Sequence, residues 1–157
     1  MSIRITDARP RGFTASDYIM APALLQAVEL AIALEQPLLL TGEPGTGKTR
    51  LADKIASDLA AAAGHNFTPE PLVFNTKTDA QARDLFYYYD AVAHFQSANV
   101  QRGTGQAAPV TGDFIQLRAL GRAIALTRPD QPGLQGFLDP ATPAAGRVVL
   151  IDEIDKA

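Results

Sequence analysis

The chain has no cysteine, which excludes disulfide staples and thiolate metal sites. Its two histidines, His65 and His94, lie too far apart in sequence to form a metal-ligand pair. It also lacks an excess of positive charge: 14 Lys and Arg stand against 17 Asp and Glu, for a net charge of −3. Such a balance provides no basic footprint for nucleic acid or an anionic membrane surface. Long apolar runs are missing too. Each is cut short by Pro, Glu or Gln, and none approaches a membrane span. The opening, "MSIRITDARPRGF", carries charges where a secretory leader needs an apolar stretch. The expectation is a cytoplasmic protein with no membrane segment and no nucleic-acid partner.

What is present suits one folded domain. The chain has 157 residues, 46% of them apolar and 20% charged, which is ordinary for a globular core. Residues 1–16 are polar with scattered Pro and Gly and read as a lead-in. After Pro22, "ALLQAVELAIALE" has helical spacing, predicting a helix over 22–35 that Pro37 ends. "PLLLT" (37–41) reads as a buried strand running into a glycine-rich turn. Leu51, Ile55 and Leu59 recur at i, i+4 and i+8, so 47–63 reads as a helix stopped by Gly64. "PLVFN" (71–75) is a second strand, 79–96 a helix, 97–113 a surface loop or irregular hairpin, and "FIQLRALGRAIALTR" a helix interrupted by Gly121. The proline-rich 129–146 is a loop, and "RVVLI" (147–151) a third strand. Short apolar strands alternating with helices predict an α/β fold with a parallel sheet flanked by helices.

Two motifs carry chemistry. Gly42–Glu43–Pro44–Gly45–Thr46–Gly47–Lys48–Thr49 matches G-x-x-x-x-G-K-[ST], with a predicted strand before it and a helix beginning within it. Glycines let the backbone curl so that successive N–H groups face phosphate oxygens, and the helix N-terminus adds unpaired donors. Lys48 is then a point charge for the β- and γ-phosphates, and the Thr49 hydroxyl a ligand for Mg²⁺. A glycine turn that merely caps a helix is the plain alternative. A chance match in a chain this size is on the order of one in a few hundred.

The second motif is the acidic pair after the last strand. Asp152 fits a residue holding Mg²⁺ largely through its water shell. Glu153 fits a general base or water-orienting group for in-line attack, which favours hydrolysis over transfer. Taken alone, the pair reads equally well as a strand ending in solvated acids. Asp155 reads as a surface or helix-start residue. No N-K-x-D stretch for guanine recognition occurs anywhere. Tyr87–Tyr88–Tyr89 lacks a basic groove, so packing of one or two rings is expected rather than base stacking. His94 reads as structural.

With both motifs in hand, the chain resembles the AAA+ ATPases, and more narrowly their MoxR-like branch. The resemblance rests on "PLLLTGEPGTGKT", "FNTKTDAQARDLFYYYDAVAHF", "FIQLRALGRAIAL" and "VVLIDEIDKA". It implies a P-loop NTPase sheet of five strands with a helical lid, ATP and Mg²⁺ as cofactors, a homo-oligomeric ring of usually six subunits, and remodelling of a protein client. By position, Gly42 to Thr49 become the Walker A loop, and Asp152 and Glu153 the Walker B pair. The region around 95–115 falls where that branch inserts a hairpin facing the pore or a client, although a plain surface loop serves equally well. Tyr18 and Ile19 fall in a segment that packs near adenine in similar proteins.

On this resemblance, 17–157 is the N-terminal portion of an AAA+ domain with about three of five core strands. It ends before the polar sensor, the arginine finger and the lid. An arginine finger can be worth ~10³–10⁵ in rate. The chain by itself is therefore expected to bind nucleotide weakly and hydrolyse it negligibly. Two rival functions remain: a nucleotide-dependent assembly switch without hydrolysis, and a small-molecule P-loop kinase, which would need a basic lid and an acceptor pocket.

Overall fold

The structure, a computed structural model, describes residues 12, 14–105, 107–134, 136–139 and 141–156. The predicted lead-in at 1–16 therefore falls mostly outside the described residues. Its end, Ala15–Asp17, is a 3-10 turn whose Thr14 N–H and hydroxyl donate to the Asp17 carboxylate at 3.0 and 2.7 Å.

Helix α1 is Pro22–Ala33, with Pro at a first-turn position where no amide hydrogen is needed. Helix α2, Lys48–Ala61, starts directly after the motif glycine Gly47. It buries Leu51, Ala52 and Ala56 on one face, with Leu51 only 1% exposed. Helix α4, Ala119–Thr127, buries Ala123, Ala125 and Leu126. The core contributed by these two helices is thus mostly alanine, with Leu51 and Leu126 as its largest fully buried side chains. Each of those leucines contributes about 1.5–3 kcal/mol by burial.

Strands β1, Leu72–Asn75, and β4, Val149–Asp152, pair in parallel, with Leu72 opposite Val149 and Asn75 opposite Asp152. The pairing begins earlier as an isolated bridge between Phe67 and Gly146. A Cβ on Gly146 would lie 2.8 Å from the Phe67 ring, so any other residue there would have to displace that ring. The proline-rich stretch before β4 is tied down at its end. Ala145 N–H donates to Leu126 O at 2.9 Å, and Asn66 Nδ2 donates to Ala144 O at 2.5 Å.

Four sequence expectations are corrected here, one of them the helix expected from Phe114, which begins only at Ala119 after the strand Ile115–Leu117 and runs unbroken through Gly121. Residues 37–41 form no strand: a strand needs a ladder partner, β4 is paired only with β1 among the described residues, and Leu39 stays 72% exposed. Among the described residues the parallel sheet therefore has two strands rather than three. The predicted helix over 79–96 is instead a 3-10 turn (Ala82–Leu85), strand β2 (Tyr87–Tyr89) and the start of helix α3 (Ala91–Thr104). Consecutive tyrosines favour a pleated strand, and Asp90 starts a new helix by accepting from Ala93 N–H at 2.9 Å. The predicted loop at 97–113 is occupied by α3 as far as Thr104, where Gly105 stops it in the left-handed conformation.

Strand β2 pairs antiparallel with β3, Ile115–Leu117, so β2, α3 and β3 form one excursion between the parallel strands. Its base rests on Gly121 of α4. A Cβ there would fall 2.0 Å from the Phe86 carbonyl oxygen, so the helix meets the backbone itself at that point. All three tyrosines remain 39–44% exposed, yet two of the rings pack as expected: Tyr89 meets the His94 ring edge-on with centroids 5.8 Å apart, and the Arg118 guanidinium lies 5.3 Å over the Tyr88 ring. His94 is structural as expected: it stacks on Phe114 with ring centroids 4.6 Å apart and pairs through Nδ1 with the Tyr89 hydroxyl at 2.6 Å.

Candidate nucleotide site

The motif loop is curled by its glycines. Gly42, Gly45 and Gly47 have φ of 149°, 82° and 83°, values that side-chain-bearing residues rarely adopt. Thr46 Oγ1 donates to Glu43 O at 2.9 Å, and Lys48 Nζ donates to Gly42 O at 2.8 Å and Glu43 O at 2.7 Å. The ammonium and the loop are therefore already gathered around one small volume. Gly47 is the N-cap of α2 and has no side chain to cap it, which leaves the first-turn amides for an anion.

The acidic strand reaches this loop. Thr49 Oγ1 donates to Asp152 Oδ2 at 3.1 Å, although 103 residues separate the two. Helix α2 packs on β4, and that packing carries the contact. The other Asp152 oxygen, Oδ1, accepts from Glu153 N–H at 3.1 Å. A P-loop with its hydroxyl on a strand-end aspartate is the core of a nucleotide-hydrolase site. The family model for the AAA domain (dynein-related subfamily) matches residues 37–157.

The chain belongs to this family of AAA domains.

Neither a curated protein nor a solved structure matches it. Membership of an ATPase family and the α/β fold with its short parallel sheet agree with what the two motifs imply. No described helix is long and apolar enough to cross a membrane.

The donor set of the AAA site fits a magnesium–nucleotide. Thr49 and Asp152 offer a hydroxyl and a carboxylate, both hard oxygens, and Lys48 offers the complementary cation for phosphate. Among the described residues no group of three or more His, Asp or Glu could hold a metal. A cation here would thus rest on Thr49, Asp152 and the phosphates together.

The structure gathers Gly42 to Thr49 and Asp152 but leaves the Glu153 carboxylate turned elsewhere. Glu153 has a left-handed φ of 56° and is exposed. Its Oε2 accepts from Lys156 Nζ at 2.5 Å, and its carbonyl accepts from Lys156 N–H at 3.0 Å. That hydrogen bond to Glu153, reinforced by the charges of Glu153, Asp155 and Asp152, raises the Lys156 ammonium above its ordinary pKa. The i,i+3 spacing inside "DEIDK" is the sequence signal for this pair.

Tyr18 reaches the loop as well. A Cβ on Gly47 would stand 3.2 Å from Tyr18 Cε2, so this ring walls the start of α2, whereas Ile19 is 93% exposed. A separate cavity of about 480 Å³ lies beside the β2–β3 ribbon, lined by Arg83, Asp84, Tyr87 to Tyr89 and Ile115 among others, away from the phosphate loop.

Proposed function

We propose that this AAA domain binds ATP with Mg²⁺ and hydrolyses it as part of a homo-oligomeric ring, of six subunits in the MoxR-like manner, that remodels a protein client. The observation that carries the reading is the Thr49–Asp152 hydrogen bond, which joins the two motifs across 103 residues of sequence. Lys48 and the amides of Gly42 to Thr49 hold the phosphates. Thr49 and Asp152 hold the metal, which supplies charge neutralisation at the phosphates. Glu153 orients and deprotonates the attacking water. The Tyr18 ring stands against Gly47 at the start of α2, a position suited to the base end of the nucleotide.

The test is Glu153→Gln in the assembled protein. ATP binding should persist while phosphate release falls by about 10²–10⁴-fold, the usual worth of a positioned base. Unchanged release would remove Glu153 from its role. A second reading, a nucleotide-operated assembly switch without hydrolysis, is favoured by one observation, the engagement of Glu153 by Lys156. Nucleotide-dependent association without phosphate release would select it.

A further inference from the structure

The acidic pair sits in a continuous line of contacts. Thr49 donates to one Asp152 oxygen, Glu153 N–H donates to the other, and the Glu153 carboxylate accepts from Lys156. The left-handed backbone of Glu153 is a conformation an L-residue adopts only where its surroundings impose it. Here two anchors impose it: Glu153 N–H on Asp152, and the Glu153 carbonyl on Lys156 N–H. A rearrangement at Thr49 and Asp152 therefore acts directly on the residue that carries the engaged carboxylate.

We infer that Lys156 is a positioning residue that works as a latch. It engages one oxygen of Glu153 in a hydrogen bond, and occupation of Thr49 and Asp152 by a nucleotide-bound cation loosens the turn and releases it. This rests on the reading of Glu153 given above. The strength of the pair suits a latch. The two side chains are 52% and 53% exposed, and pairs so exposed shift an equilibrium by only about two- to five-fold. A ligand at the neighbouring residues can overcome that much. A passive surface pair, in contrast, would not respond to nucleotide at all.

The experiment is residue-resolved labelling of lysines with an amine-acylating reagent, read by mass spectrometry on the full 157-residue chain. It is run with and without Mg²⁺ and a non-hydrolysable ATP analogue. Glu153→Gln should raise the Lys156 labelling rate about two- to five-fold, leaving Lys77 unchanged and Lys54, which is paired with Asp58, unchanged as a check on folding. The analogue should protect Lys48, accelerate Lys156 in the native chain, and leave Lys156 unaltered in the Gln variant. Equal Lys156 rates in both chains, or protection of Lys48 with no acceleration at Lys156, would overturn the latch while the nucleotide site stands. Failure to protect Lys48 would overturn the site itself, and the latch with it.

Discussion

Gly47→Ala is a graded test of how the loop works. Gly47 has φ of 83°, and an added Cβ would lie 3.2 Å from Tyr18 Cε2. The left-handed backbone costs an L-residue about 1–2 kcal/mol. The ring contact adds a smaller cost, since the neighbour need yield only a few tenths of an ångström. If the alanine loop keeps its curl, the whole cost appears as lost stability, about 2–8 °C in Tm at roughly 2–4 °C per kcal/mol for a chain of this size. If the loop relaxes instead, the cost returns when phosphate forces the curl, and affinity falls about 5- to 30-fold. The two losses should sum to the same total. Gly64→Ala is the matched control: its φ is 86°, nothing lies within 4 Å of the added Cβ, and it is outside the loop. It should lose stability alone. Thermal melts and fluorescent-ATP titration of each variant measure both quantities. Adding Tyr18→Ala to Gly47→Ala should restore only the smaller, steric share. A Gly47→Ala chain with native stability and native affinity would refute the argument that the loop depends on its curled backbone, and complete rescue by Tyr18→Ala would refute the assignment to φ.

Thr49→Ala and Asp152→Asn should each abolish the tightening of ATP binding by Mg²⁺ while leaving metal-free binding near native, as read by titration with and without the ion. Gly121→Ala should destabilise the fold by about 1–3 kcal/mol or more, because the obstructing atoms are Phe86 backbone and cannot swing aside; a urea midpoint equal to native would contradict it. Hydrogen bonds from Thr14 lower the Asp17 pKa below the ordinary 3.8. A depressed folded pKa stabilises above the unfolded value and ceases to do so as pH falls through the folded one. The Thr14 amide resonance should therefore titrate with a midpoint below 3.8, and Asp17→Asn should remove that transition.

Local chemistry was legible in the sequence wherever spacing alone defines it. The glycines and Lys48 of the loop, the helix that begins within it, and the acids closing the last strand are short-range features that residue type and order define. Pro22 and the leucine spacing of α2 placed two helices for the same reason. Pairing was not legible, because a strand exists only by virtue of a partner distant in sequence. Leu38 to Leu40 look like a strand and find no partner among the described residues, whereas Tyr87 to Tyr89 look helical and gain one in Ile115 to Leu117. The site itself belongs to this second kind. The sequence determined that a phosphate loop and an acidic strand end were both present. Only the packing of α2 on β4, and of β4 against β1, decided that Thr49 meets Asp152, since a contact across 103 residues depends on long-range burial rather than on any local preference.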